Sequence, residues 1–196
     1  HSKQGGKSIN SAAVGGAMFT GIALGLMLFV FLPNVVGEQL RRLGVTNSTM
    51  LNLYSGLLKV VFFLGYIYLI GRMAEIKRVF QYHGAEHKAI NTLEAEQALN
   101  MENCMRQTRL HPRCGTSFAI IVLIIDIVAL TFVPRYLVDG APTYVNLLLR
   151  FGVNIMLLPL IAGISYELIR FAGKFRHSGV VNAMFTPGLM TQYLTT

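Results

Sequence analysis

Long apolar stretches alternate with polar ones along most of this chain. Four of the apolar stretches are close to 20 residues long, about the length that an α-helix needs to cross the hydrocarbon core of a bilayer. They cover residues 12–36, 50–71, 116–133 and 144–169. The pattern predicts an all-α membrane protein built as a four-span transmembrane helix bundle.

The polar connections between these spans differ in length. Residues 37–49 and 134–142 form short connections, whereas residues 72–115 form a long polar loop between spans two and three. Strong helix formers occupy residues 93–99, which favours a helix from Arg72 to about Ala98 that continues directly from the second span. The loop is therefore predicted to form a helical hairpin.

The two ends of the chain are polar or amphipathic. Gly and Ser are frequent in residues 1–11, which are expected to be flexible. The stretch from Val180 to Thr196 is amphipathic, is expected to be broken at Pro187, and could lie along the membrane interface. Because the first residue is not Met, we expect a fragment of a longer chain. The pattern therefore divides the chain into five segments, which cover residues 1–11, 12–71, 72–115, 116–169 and 170–196.

Composition supports the membrane assignment. The chain is 53% hydrophobic and only 13% charged, whereas a soluble domain carries about 25% charged residues. Its net charge of +8 would suggest nucleic acid for a soluble protein, but no aromatic-basic module of a known kind is found. Basic residues beside apolar spans instead favour contact with anionic lipid. The predicted partner is the bilayer and not nucleic acid. Other membrane proteins and the oligomeric state are left open.

Lysine and arginine also indicate an orientation. They are concentrated in the N-terminal segment, the long loop and the C-terminal segment, and are sparse in the two short connections. The positive-inside rule places segments rich in these residues in the cytoplasm. A multi-pass protein with both termini and the long loop in the cytoplasm is predicted.

Candidate metal ligands lie in two short strings of the long loop. The first is Tyr-His-Gly-Ala-Glu-His-Lys, at residues 82–88. On a helix, His83, Glu86 and His87 stand at positions i, i+3 and i+4 and share one face. Two imidazoles one turn apart are a common way to bind a divalent metal, and the carboxylate between them can ligate, orient or act as a general base.

The second string is His-Pro-Arg-Cys-Gly-Thr-Ser-Phe, at residues 111–118. Its His111 and Cys114 could offer an imidazole and a thiolate to the same ion, completing a tetrahedral set with His83 and His87. This donor set favours Zn²⁺, with Fe²⁺ as the alternative. A site with all four ligands would be structural, whereas a free position would admit water and permit catalysis.

Other roles for these residues remain open. A single histidine is more often solvated or hydrogen-bonded than a ligand, and a single cysteine is more often a small buried apolar side chain. Thr116 or Ser117 could cap the third span. Glu94 is expected on a solvated helix face, with a position facing the site, two turns after Glu86 and His87, as the alternative. Cys104 is not expected to be a ligand.

Two charged residues interrupt the apolar spans. Asp126 lies inside the third span, where a carboxylate costs about 2.5–3.5 kcal/mol. It is expected to face the bundle, with Lys59 or Glu167 as its partner, either as a polar interhelical contact or as an ion relay. Lys59 itself is expected to extend toward the membrane surface, with a buried functional lysine as the alternative.

The two strings resemble those of the YqhQ-like bacterial membrane proteins. The resemblance covers residues 82–88 and 110–118, and the closing Pro187-Gly188-Leu189, Gln192 and Leu194-Thr195-Thr196 are similar to the C-terminal signature of that family. The family has no established function, and its members are often labelled metal-dependent enzymes. The resemblance implies a bacterial inner-membrane location and a site at His83, Glu86, His87, His111 and Cys114.

Members of that family usually carry a further Gly-rich segment before the first span. No copy of this segment is recognised in the present chain, so part of the site is expected to lie outside it. The label also implies a metal without implying a reaction. The resemblance therefore implies a bound metal but does not identify the substrate.

Three functions are compatible with these features. The first is a metal-dependent membrane hydrolase acting on a lipid or membrane-peptide substrate at the cytoplasmic face, with Glu86 as general base. The second is a non-catalytic membrane scaffold, assembly factor or transporter component with a structural metal site. The third is a carrier or channel that uses Asp126 and Lys59.

Overall fold

The computed structural model describes residues 11–175 and 179–196, and within these ranges it contains helices and connecting turns but no β-strand. The predicted all-helical class is confirmed. Residues 1–10 and 176–178 lie outside the described ranges, so the expectation of a flexible N-terminal segment stays a prediction. The helices are α1 (Ser11–Leu26), which continues through a π-helical segment (Met27–Phe31) into α2 (Leu32–Arg42), α3 (Ser48–Ile70), α4 (Ala74–Glu94), α5 (Met101–Arg106), α6 (Gly115–Thr131), α7 (Thr143–Lys174) and α8 (Gly179–Thr195).

Within the described ranges, three helical segments are long and apolar enough to cross a membrane: Ala12–Arg42, Ser48–Ile70 and Thr143–Lys174. The apolar helix α6 has 17 residues, which gives a length of about 25 Å at the usual rise of 1.5 Å per residue. That length is at the lower limit for a span. The structure thus has three candidate spans, and the fourth predicted span stays a prediction.

The long loop is not a continuation of the second span. Helix α3 ends at Ile70, and α4 begins only at Ala74, after Met73 has adopted an extended conformation. A Cβ atom on Gly71 would lie 3.2 Å from the Phe80 ring, so the chain turns tightly at this glycine. The predicted single helix from Arg72 is wrong at this point. The helix also ends earlier than predicted, at Glu94, because Glu96 adopts a positive φ of 54°.

Helix α6 lies at the centre of the packing and contacts α3, α7 and α8. Facing α3, Asp126 forms an ion pair of 2.5 Å with Lys59, whose side chain is buried. The expectation that Lys59 reaches the membrane surface is wrong, because the carboxylate on α6 compensates its charge inside the bundle. Of the two predicted partners of Asp126, the structure selects Lys59. Glu167 pairs instead with Arg170 at the exposed surface.

The C-terminal helix α8 packs closely along α6. A Cβ atom on Gly188 would lie 3.1 Å from the Ser117 side chain, so the absence of a side chain permits this approach. Phe185 of α8 is buried with Ile121 and Ile169. Pro187 lies inside the helix and does not break it, contrary to the sequence-based expectation. Helix α8 therefore brings the C-terminal residues close to the start of α6.

Candidate metal centre

Two histidines of α4 face the beginning of α6. His83 and His87 are one turn apart, and their ring centroids are 4.3 Å from each other. His87 is buried and His83 is half-buried. The predicted i, i+4 arrangement on one helix face is therefore present and turned inward.

Cys114 completes the group. It is buried at the N-cap position of α6, where it makes no capping hydrogen bond through its side chain. Its Sγ lies 3.3 Å from His83 Nε2, and ligand atoms of His83, His87 and Cys114 all lie within 4.8 Å of one another. The structure thus brings together three of the four predicted metal ligands.

Hydrogen bonds fix the protonation pattern of both imidazoles. His83 Nδ1 lies 2.9 Å from the carbonyl oxygen of Thr195, and His87 Nδ1 lies 2.6 Å from that of Arg109. Because a carbonyl oxygen can only accept, each Nδ1 carries the proton and donates it. In the neutral ring, the lone pair is then left on Nε2. Metal-binding histidines are oriented by this type of contact.

Burial lowers the pKa of His87 below its ordinary value, and the neighbouring His83 and His111 act in the same direction. The hydrogen bond to the Arg109 carbonyl and the charge of Glu86 oppose this effect. Since the ordinary pKa is already about 6.5, the ring is neutral at pH 7. Neutral imidazole is the form that binds a metal.

His111 is close to this group but has different partners. Its ring centroid is 5.8 Å from that of His87, its Nδ1 accepts a hydrogen bond of 3.3 Å from the Arg113 backbone N–H, and its Nε2 lies 3.4 Å from Glu94 Oε1. Its tautomer is therefore opposite to that of the other two rings. A role as fourth ligand stays a prediction and would require His111 to exchange these partners.

Glu94 contributes to the site although its position suggested a solvated face. It forms an ion pair with Arg113 and faces the ring of His111. Two turns of helix separate it from His87, and the chain after Leu110 folds back over this same face. The expectation of a solvated residue is wrong.

Glu86 and Cys104 occupy different surroundings. Glu86 is exposed and lines a cleft of about 390 Å³ together with His83, His87 and Cys114. Glu86 and the three candidate ligands therefore line the same cleft. Cys104 lies half-buried on α5 and is not part of this group.

Sequence reasoning missed the contribution of α8. Gln192 Oε1 accepts from the His111 N–H at 2.8 Å, while its Nε2 donates to the His111 carbonyl at 2.7 Å and to Ser117 Oγ at 2.6 Å. Thr195 provides the carbonyl that orients His83. The i, i+3 spacing of these two buried polar residues on one helix face was the available signal.

Arg109 holds the C-terminal residues from the other side. Its Nη1 donates to the Thr196 carbonyl at 2.9 Å, and its guanidinium lies 5.3 Å from the centroid of the Tyr193 ring. The same residue orients His87 through its backbone carbonyl. One loop residue therefore links the C-terminus to the buried histidine.

Comparison with known proteins agrees with these motifs. The whole chain, residues 1–196, matches the family described as "Protein of unknown function (DUF1385)". It is 36% identical over 169 residues to the "Uncharacterized protein YqhQ" of Bacillus subtilis (strain 168), a match that covers 86% of this chain and 50% of the relative. The chain thus spans about half the length of that curated protein. No solved structure matches. The expected likeness to the YqhQ-like proteins is confirmed, and the chain belongs to the DUF1385 family of unknown function.

Proposed function

We propose that the protein is a metal-dependent membrane hydrolase whose ion is held by His83, His87 and Cys114. The observation that carries this proposal is the approach of the three ligand atoms to within 4.8 Å, with both Nδ1 atoms engaged by carbonyls. Two imidazoles and a thiolate suit Zn²⁺, with Fe²⁺ as the alternative. Three protein ligands are typical of catalytic zinc sites, which keep a fourth position for water or substrate.

The surrounding residues would have different roles in hydrolysis. A bound zinc ion would supply Lewis acidity and lower the pKa of a coordinated water. Glu86, exposed in the same cleft, would take up the proton as general base. Arg113, 54% exposed at the cleft and paired with Glu94, is placed to bind a negatively charged group of the substrate.

A neighbouring groove supports a lipid or membrane-peptide substrate. This groove has a volume of about 460 Å³ and shares Arg113, Cys114 and Gly115 with the cleft. Apolar Phe118 and Ile169 line it beside Arg170. A substrate with a polar head and an apolar tail could therefore reach the metal-binding residues from the side of α7, which is a candidate membrane span.

We further propose that this cleft lies at the cytoplasmic face of a bacterial inner membrane, in a four-span bundle with both termini in the cytoplasm. The concentration of lysine and arginine in the long loop supports this orientation. Other membrane proteins could be partners in addition to the bilayer.

The direct test is elemental analysis of detergent-purified protein prepared without chelators. We expect about one zinc per chain, and none in the double variant His87→Ala/Cys114→Ala. Cys104→Ala is the matched control, since it removes the cysteine outside the group and should retain the metal. Absence of metal from the parent protein would overturn the proposal.

The catalytic role of Glu86 needs a separate variant. Glu86→Gln should retain both the metal and the thermal stability while hydrolysis of lipid or membrane-peptide substrates falls by about 10²–10⁴-fold, the usual contribution of a general base. Full activity in this variant would remove Glu86 from the mechanism.

A structural metal site in a scaffold, assembly factor or transporter component is the second candidate. It is favoured by the position of His111, whose ring lies only 5.8 Å from His87. If His111 rotated into the group, four protein ligands would leave no position for water. X-ray absorption spectroscopy distinguishes the two candidates by their ligands. The hydrolase requires two imidazoles, one thiolate and a coordinated water, whereas the structural site requires three imidazoles and one thiolate.

A carrier or channel is the third candidate, and the buried Lys59–Asp126 pair favours it. It predicts an ion flux in proteoliposomes that disappears in Asp126→Asn. A flux that persists in this variant would exclude the pair as the ion path.

A further inference from the structure

Two arginines are buried at the end of the bundle opposite to the metal centre. Arg135 lies in the loop that follows α6 and is 4% exposed, and Arg150 lies on α7 and is 3% exposed. Cys114 directly precedes α6, so the 17-residue helix separates the two regions. The residues around these arginines are therefore distinct from those of the proposed metal site.

Uncharged oxygen atoms accept the hydrogen bonds of both guanidiniums. Arg135 donates to Ser55 Oγ at 3.0 Å and to the Asn34 carbonyl at 3.0 Å. Arg150 donates to the Pro134 carbonyl at 3.1 Å and to Asn52 Oδ1 at 2.7 Å, while its Nε has no hydrogen-bond partner. These contacts satisfy donors but do not neutralise either charge.

The nearby carboxylates are already engaged by other groups. Glu38 accepts from Arg41 at 2.9 and 2.7 Å and from the Tyr136 hydroxyl at 3.0 Å. Asp126 is paired with Lys59. Glu38 also attracts Arg135, but its single charge is shared with Arg41. Arg135 and Arg150 therefore carry two positive charges against the single negative charge of Glu38.

A small cavity lies between the two arginines. It has a volume of about 20 Å³, and Asn34, Glu38, Tyr136, Thr143 and Asn146 complete its wall with Leu147. A space of about 10–15 Å³ is enough for one water molecule. The cavity therefore accommodates a single small ligand, such as a water molecule or a monoatomic ion.

We propose that this cavity binds one monoatomic anion, chloride or another halide, between Arg135 and Arg150. Water could occupy the same space but would leave Arg150, whose hydrogen bonds go only to uncharged oxygens, without a contacting counter-ion, which is costly in a low-dielectric interior. The carboxylate of Glu38 in the wall does not prevent binding, because Arg41 and Tyr136 hold its two oxygens. The anion would join α7 and the loop after α6 to α2.

Equilibrium dialysis of the full chain in detergent with radioactive chloride tests the proposal. The parent protein should bind about one chloride per chain in a saturable manner, and its Tm should be higher in chloride or bromide than in gluconate at equal ionic strength. Arg150→Gln should weaken chloride binding by about tenfold or more, since it removes one charged partner of a buried ion. Absence of saturable binding to the parent protein would overturn the proposal.

Because Arg150→Gln could unfold, a second variant keeps both arginines. Thr143→Leu adds volume to the cavity wall and should also abolish chloride binding while the circular dichroism spectrum stays helical. Arg106→Gln, at an exposed arginine of α5, is the matched control and should bind chloride as the parent does. Unchanged chloride binding in folded Thr143→Leu would show that the ion does not occupy this cavity.

A bromide soak of crystals of the same protein locates the ion directly. An anomalous scattering peak between Arg135 and Arg150 is the expected result. A water molecule without anomalous signal at that position would overturn the proposal even if bromide binds elsewhere on the surface.

Discussion

The side chain of Gln192 forms hydrogen bonds with both the N–H and the carbonyl of His111, although 81 residues separate them. Gln192 is fully buried in α8, and His111 opens the string that leads to Cys114. Through this contact the end of the chain holds in place the turn that presents the cysteine. The candidate metal centre is therefore formed by three distant parts of the chain, namely α4, the start of α6 and the end of α8.

Removing the Gln192 amide should destabilise this arrangement. In Gln192→Leu the buried N–H and carbonyl of His111 lose their partner, and each unsatisfied group costs about 1–3 kcal/mol. We expect a lower Tm and weaker zinc binding, measured by thermal unfolding in detergent and by metal titration. Gln81→Leu changes an exposed glutamine of α4 and serves as control. Equal Tm and zinc affinity in the Gln192 variant and the parent would show that the contact does not position the site.

Variants of single histidines distinguish a three-ligand from a four-ligand site. His83→Ala should lose most of the zinc, because it removes a ring whose Nε2 lies 3.3 Å from Cys114 Sγ. His111→Ala should retain about one zinc per chain, since its ring is engaged by Glu94 and the Arg113 backbone. The measurement is zinc content after gel filtration. Equal losses in the two variants would instead favour the closed, structural site.

The buried pair of Lys59 and Asp126 should respond unequally to single and double substitution. Lys59→Met leaves Asp126 as an uncompensated buried charge, and breaking such a pair costs about 3–5 kcal/mol. Lys59→Met/Asp126→Leu removes both charges and should recover most of the lost stability. Unfolding in detergent with increasing denaturant gives the free energies. A double variant no more stable than the worse single variant would contradict this interpretation.

Close packing of α3 on α6 depends on Gly56. A Cβ atom at this position would lie 2.4 Å from Ile127 Cγ1, so Gly56→Ala forces the helices apart or displaces Ile127. Such overpacking costs about 1–3 kcal/mol. Gly65→Ala on the same helix is the matched control, because no atom lies within 4 Å of the added Cβ. Thermal unfolding of the two variants side by side checks the difference, and equal Tm values would refute it.

The all-helical class and the histidine-bearing face of α4 were predictable from local patterns. An i, i+4 pair of histidines shares a helix face wherever the helix lies, and His83 and His87 do so here. The break between α3 and α4 was not predicted, because the turn brings the Phe80 ring against Gly71, a packing contact that helix propensity does not describe. Lys59 and Glu94 were misjudged for the same reason, since Asp126 comes from another helix and His111 and Arg113 come from the loop before α6.

By itself, the sequence determined which segments are helical and apolar and which residue types could bind a metal, since both follow from interactions between residues a few positions apart. Only the tertiary structure decided that Cys114 joins His83 and His87 while His111 turns to Glu94. It alone decided that Gln192 and Thr195 orient that group and that Arg135 and Arg150 share a cavity. These contacts depend on the packing of helices far apart in the chain, which no local pattern of residues encodes.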